Sequence, residues 1–389
     1  MISVAEALDA IFALVAPLPA EDVPLGQAHG RVLARDVAAR RTQPPFSASA
    51  MDGYAVKGPA QTGARFTVIG ESAAGHRFDG PVGPGQAVRI FTGAPLPDGA
   101  DRVIIQEDVN RDGDTIILGD TLDTATHVRP AGGDFTAGAL LTAPRLIGPN
   151  EVALLAAMNV ATVPVTRRPV VAIIATGDEL VQPGEDPGPD QIIASNSHGL
   201  AALLAQHGAA PRLLPIARDN HESLSLVFRL AADADLIVTI GGASVGDHDL
   251  VSAAADRQGM DRAFYKVAMR PGKPLMAGRI GEAAMIGLPG NPVSAMVCGH
   301  VFLLPMLRRM LGLGDAPAPR RTATLAGPLA ANGPREHYMR AILDGDQVTV
   351  CGRQDSSLLS VLVEANALVV RPVDDGPRQS GEQVSIITL

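Results

Sequence analysis

Tryptophan is absent from the 389 residues, tyrosine occurs three times, and aromatic residues make up 3% of the chain. Stacking platforms for single-stranded nucleic acid are therefore poorly supplied. Cysteine is nearly as scarce. Cys298 and Cys351 build neither a disulfide framework nor a zinc or iron–sulfur cage, and they fit two reduced thiols in a cytosolic protein. Lysine is the third scarcity, since Lys57, Lys266 and Lys273 are the only lysines among 32 basic residues. Positive charge is itself in deficit: 41 acidic side chains leave a formal charge of -9. That sign argues against non-specific duplex binding, and an anionic ligand must be gathered by a local basic site against the net field. Residues 1–18 lack a basic start and contain Glu6 and Asp9, so no export signal is expected. The most apolar stretch, 293–307, includes His300 and Pro305 and is too short to span a bilayer; it reads as a core helix. Neither nucleic acid nor membrane is an expected partner.

What is present allows sizeable cores. Hydrophobic types make up 46% and charged types 19%, and the length suits two or three domains. Ser3 and Glu6 form a capping-box pattern before Val4, Leu8, Ile11, Phe12 and Val15, which predicts an opening helix. In QPPFSASAMDGYAV (43–56) consecutive prolines hold the backbone extended before an Asp52-Gly53 turn. From 65 to 141 short runs such as RFTVIG, AVRIFTG and TIILG are divided by glycine, proline and aspartate, the signature of a small β domain. A helix over 146–158 follows. From 170 to about 313 apolar strands (170–176, 235–241, 283–290) alternate with helices (199–207, 224–232), which indicates parallel strands joined by helical crossovers. After the Ala-Pro repeat at 316–319 the pattern returns to short strands and a second β domain.

Ligands of an open parallel sheet gather beyond the carboxyl ends of its strands, where several loops fall. ATGDEL (175–180) is either a solvated turn or a pair of carboxylates, Asp178 and Glu179, that need a partner or a metal. In GGASVGDHD (241–249), Gly241, Gly242, Ser244 and Gly246 let backbone amides approach an anion at a helix start. Phosphate is the natural guest. Asp247 and Asp249 would repel it unless a divalent cation lies between, which favours a magnesium-assisted phosphate site with Asp249 as a direct or water-mediated ligand. YKVAMRPGKPLMAG (265–278) concentrates two of the three lysines around Arg270, a pattern suited to oxyanions. In GLPGNPVSA (287–295), Pro289, Gly290 and Pro292 fix a turn, while Asn291 and Ser294 can donate to a polar ligand or cap the helix. No GxxxxGK[ST], GxGxxG or GxSxG pattern occurs, so triphosphatase, nicotinamide and serine-hydrolase chemistry lose support.

Six motifs in order, PPFSASAMDGYAV, FTGAP, TGDEL, GGASVGDHD, MRPGKP and LPGNP, resemble the bacterial molybdopterin molybdenumtransferase family, related to the carboxy-terminal domain of gephyrin. The resemblance implies an α/β and β multidomain chain. Its parts would be a linking domain (1–42 and 142–166), an inserted β domain (43–141), a three-layer molybdopterin-binding-like α/β domain (167–315) and a carboxy-terminal β barrel (316–389). It implies an elongated, cytoplasmic homodimer that inserts molybdate into adenylylated molybdopterin and releases AMP, with magnesium assisting. Transient partners would be a molybdopterin adenylyltransferase and molybdoenzymes or their chaperones. Alternatives are adenylylation of molybdopterin itself and a gephyrin-like scaffold. By motif position the active-site residues would be Asp52, Thr92, Glu179, Asp219, Asp249, Lys266 and Lys273, with Glu179, Asp219 and Asp249 as metal candidates. Arg270 stands where the family usually has lysine and retains the positive charge. Gly133 in VRPAGGD replaces the family's usual acidic residue.

Overall fold

A computed structural model describes residues 1–242 and 250–389. The chain forms two compact units, one of Met1–Glu21, Gly30–Ala34 and Val165–Leu389, the other of Asp22–His29 and Arg35–Pro164. The first helix, α1 (Val4–Ala13), starts as its sequence predicts: the Ser3 hydroxyl accepts from the Glu6 N–H at 3.2 Å and the Glu6 carboxylate accepts from the Ser3 N–H at 2.7 Å.

The smaller unit is built on a six-stranded sheet. Its strands are β1 (Gly53–Val56), β2 (Arg65–Ser72), β3 (Gln86–Ile90), β4 (Arg102–Ile105), β5 (Val109–Asp112) and β6 (Thr115–Leu118), in the spatial order β4-β1-β3-β2-β6-β5. All neighbours are antiparallel except β2 and β3. Tyr54, Val56 and Ile104 pack on one face and Ala55, Val88 and Val103 on the other, the period of two that a strand imposes. Gly53 in β1 leaves no room for a side chain, since a Cβ would lie 1.9 Å from the Ile104 carbonyl oxygen. One helix of this unit, α2 (Pro149–Ala157), carries proline in its first turn.

In the larger unit a second six-stranded sheet carries the site. It comprises β7 (Val170–Ala175), β8 (Ala210–Leu213), β9 (Leu236–Ile240), β10 (Asp261–Tyr265), β12 (Met276–Ile280) and β13 (Ala283–Leu288), ordered β8-β7-β9-β13-β12-β10. The first four are parallel to one another, and β12 runs antiparallel to both its neighbours, β13 and β10. The three strands expected to be parallel, β7, β9 and β13, are so, and the sheet adds an antiparallel edge that the sequence reading did not include, because β12 and β13 are joined by a two-residue turn with Gly281 at φ +56°, too short for a crossover. Helices α3 (Asn196–Gln206), α4 (His221–Leu230) and α5 (Leu250–Arg257) complete three layers. Val171, Ile173, Leu236 and Val238 face α1, α3 and the helix from Pro292, whereas Ala172, Ile174 and Ile237 face α4 and α5. Each fully buried Ile or Leu of this kind contributes roughly 1.5–3 kcal/mol.

The run Pro292–Met310 is helical throughout, with a π-helical segment at Gly299–Leu303; it is apolar enough to resemble a membrane span, yet most of it is buried in the core. Beyond it, β14 (Arg321–Leu325), β15 (Glu336–Asp344), β16 (Gln347–Val350), β17 (Ala367–Arg371) and β18 (Gln383–Thr388) close into a barrel through the β15–β17 pairing. The short strand β11 (Met269–Arg270), from the middle of the α/β region, pairs in parallel with β15.

Candidate active site

A cavity of about 720 Å³ opens at the carboxyl ends of β7 and β9, the position an open α/β sheet reserves for ligands. Its walls bring together Glu179, Asp219, Gly241, Gly242, Pro289, Gly290 and Asn291 from the predicted set. Ser195, Asn196 and Ser197 add the first turn of α3, and Pro292 begins the long helix, so two helix amino termini line the same space, the second with its Val293 N–H already taken by the Ser356 carbonyl at 3.0 Å. The Asn196 side chain ties these two starts together by donating to the Gly290 carbonyl at 2.7 Å. Packing by itself requires glycine at 241 and 242. They sit at φ +96° and +67°, and a Cβ would lie 2.7 Å from the Thr176 carbonyl oxygen or 2.2 Å from Val251.

Three carboxylates crowd the acidic wall. Asp219 is pushed above the ordinary aspartate value, first by burial and then by the neighbouring charges of Asp178 and Glu179. The Glu179 carboxylate folds back over Gly177, where a Cβ would meet its Oε2 at 2.2 Å. Among the described residues no three ligating side chains form a metal cage. A magnesium ion needs no such cage, since one or two carboxylates, waters and substrate phosphates complete its shell, and the crowded pair Glu179 and Asp219 fits that role.

The basic segment stands beside this cavity, to which it contributes Pro274. Lys266 adopts φ +70°, held by its N–H on the Leu275 carbonyl at 2.8 Å and by the Ile2 N–H on its own carbonyl at 3.2 Å. Its ammonium lies 4.8 Å from the Tyr265 ring centre. The Val267 N–H reaches the Lys273 carbonyl at 3.1 Å, closing the turn that carries both lysines. Gly272 presses this turn onto the core, its Cβ position only 2.7 Å from the buried Cys298 sulfur. Arg270 is exposed and in register with His337. Burial, and then the charges of Arg270 and three further arginines, lower His337 to about 4. Ser294 is buried in the first turn of the long helix and does not line the cavity. Ser244, Gly246 and Asp249, with Asp247 and His248, lie outside the described residues.

Asp52 and Thr92 belong to the smaller unit. There the Asp52 Oδ1 accepts from the Thr92 N–H at 2.7 Å and from its hydroxyl at 2.8 Å, and these bonds, backbone first, hold the carboxyl below its ordinary value. Arg89 stacks between Tyr54 and Phe91 at 5.1 and 4.8 Å and donates to the Gly53 carbonyl at 3.2 Å. The carboxylate is thus presented on a braced turn.

Sequence reasoning missed Asn196 and Ser357. Ser195-Asn196-Ser197 before an apolar helix was the available signal for the first. Ser357, which closes the cavity from the barrel region, had no sequence signal.

An open α/β sheet with a carboxylate-bearing cleft at its strand ends, joined to a closed barrel, defines a multidomain α/β and β protein with a small-ligand site at the sheet's carboxyl edge. The chain matches the family models described as MoeA N-terminal region (domain I and II) over residues 2–159, probable molybdopterin binding domain over 172–309, and MoeA C-terminal region (domain IV) over 322–389. It is 38% identical over 382 residues, 94% of each chain, to molybdopterin molybdenumtransferase 2 of Mycobacterium tuberculosis. It is 35% identical over 410 aligned positions to the molybdopterin molybdenumtransferase of Nostoc, covering 100% of this chain and 94% of that one. Among solved structures, the molybdopterin biosynthesis MoeA protein of Pyrococcus horikoshii superposes with a TM-score of 0.86 at 29% identity, covering 100% of this chain and 99% of that one. The chain belongs to the molybdopterin molybdenumtransferase family, and its role is in molybdenum cofactor biosynthesis.

Proposed function

We propose that this chain transfers molybdate into adenylylated molybdopterin and releases AMP, in a magnesium-assisted reaction. The observation that carries the proposal is the single cavity wall where crowded carboxylates meet two helix amino termini. The helix start at Asn196, with the backbone at Gly241–Gly242 and Gly290–Asn291, binds the phosphate oxygens of the adenylylated substrate. Glu179 and Asp219 hold magnesium, which when bound offsets the charge of the phosphoanhydride as it is cleaved. Lys266, Arg270 and Lys273 attract molybdate, a dianion that the net charge of -9 would otherwise repel. Asp249 is assigned to the same acidic group by its motif. Asp52 and Thr92 complete the cleft of a second copy of the chain, which makes the working form a homodimer. Two cysteines, both free thiols, fit a cytoplasmic setting in which they stay reduced.

The test is a reconstituted reaction with adenylylated molybdopterin, magnesium and molybdate, run beside one lacking molybdate, with AMP and molybdenum cofactor measured. Molybdate-dependent formation of both products is expected. AMP release indifferent to molybdate, or consumption of ATP with accumulation of adenylylated pterin, would reject the assignment. The dimer is tested by mixing two inactive variants, Asp52→Asn and Lys273→Ala: activity should return in the mixed protein.

A further inference from the structure

We propose that Arg218 is a positioning residue that sets the spacing of the Glu179 and Asp219 carboxylates, and through it the affinity for the divalent cation. The inference deepens the functional reading above and rests on it. Arg218 Nη1 donates to the carbonyl of Asp178 at 2.9 Å and to that of Leu180 at 3.2 Å, the residues on either side of Glu179. One guanidinium nitrogen thus draws both sides of Glu179 together and leaves that residue at the apex of the bend. The return contact comes from Asp178, whose Oδ1 accepts the Asp219 N–H at 3.1 Å. Arg218 is itself fixed at its root. Its N–H donates to the Ser223 hydroxyl at 2.9 Å, and the Ser223 N–H is capped by Asn220 at 2.9 Å. The two loops are also joined beneath these contacts by the Gly177 N–H on the Ala217 carbonyl at 3.1 Å.

The action of Arg218 is geometric and not neutralising. Among the described residues it forms no ion pair, and the charges that raise Asp219 are those of Asp178 and Glu179. A like-charged pair gives up affinity for a cation when its spacing is free to widen, because each carboxylate relaxes away from the other. A lysine at 218 has a single nitrogen on a flexible stem and can reach the same carbonyls with less preorganisation.

Arg218→Gln, Arg218→Lys and Ser223→Ala in the full chain separate the possibilities. Mn²⁺ binding without substrates, read by electron paramagnetic resonance of the free ion, should weaken about tenfold in Arg218→Gln, and about threefold in Arg218→Lys and Ser223→Ala. The magnesium concentration for half-maximal AMP release should rise in parallel, while the rate at saturating magnesium changes less than threefold and the urea midpoint stays put. Equal Mn²⁺ affinity in wild type and Arg218→Gln, or a Mn²⁺ site absent from the wild type, overturns the proposal. So does a fall in saturated rate at unchanged magnesium dependence. If the wild type binds Mn²⁺ as expected and releases no AMP, the functional reading fails while the positioning role is still measured.

Discussion

Replacing Lys266 by glycine and by alanine should move stability and turnover in different ways. At φ +70° Lys266 is left-handed, a conformation that costs a residue with a Cβ about 1–2 kcal/mol and glycine nothing. Two backbone bonds pin it there, from its N–H to Leu275 and from the Ile2 N–H to its carbonyl, so the main chain cannot relax cheaply. Both substitutions remove the ammonium and its contact with Tyr265, so that loss cancels between them. Glycine's greater freedom in the unfolded chain gives back about 0.4–1 kcal/mol. The glycine variant should therefore be more stable than the alanine variant by about 0.5–1 kcal/mol, measured as the difference in urea unfolding free energy at fixed pH and salt. Neither should support molybdate-dependent AMP release at more than about a hundredth of the parental rate, a loss of about 2.7 kcal/mol in transition-state stabilisation. An alanine variant as stable as the glycine variant would refute the strain argument. Full activity in either would remove Lys266 from the oxyanion site.

Two further outcomes follow from buried polar groups. The Thr239 hydroxyl is fully buried in β9 with no hydrogen-bond partner among the described residues, so Thr239→Val should raise stability by about 1 kcal/mol in urea denaturation; a loss would show that the hydroxyl is bonded. His300 is lowered from 6.5 to about 4, by burial and then by the charge of His207. The folded state therefore refuses a proton that the unfolded state accepts, and its stability is complete above pH 6.5 and declines as pH falls towards 4, by about 3 kcal/mol. His300→Gln should flatten that part of the pH–stability curve, and an unchanged slope would show that another group governs it.

Local patterns were legible because their causes are local. The capping box of α1 needs only Ser3 and Glu6, and β7 and β9 announce themselves as apolar runs ended by glycine loops. The same loops revealed Glu179, Gly241, Gly242 and Asn291, because ligands collect at strand ends. Helix α3 was placed three residues late, since its first turn, Asn196-Ser197-His198, carries no apolar periodicity and is spent on the cavity. The antiparallel edge at β12 and β10 was hidden because a two-residue turn around Gly281 has none of the composition of a crossover. Least legible was β11, two residues of an α/β segment that pair with the barrel strand β15, a partner chosen by tertiary proximity alone. Ser357 escaped for the same reason.

A chimaera cut at the proline-rich junction 316–319 would treat each side as a self-sufficient cassette. Here the Val293 N–H bonds to the Ser356 carbonyl at 3.0 Å, Ser357 closes the cavity, and Met269–Arg270 is stitched into the sheet beyond the junction. Swapping the last seventy or so residues would import a foreign wall for the substrate and orphan a strand at the seam. Such hybrids should report on how pocket walls and lysine turn co-adapt, and cannot be treated as an enzyme with an exchanged tail.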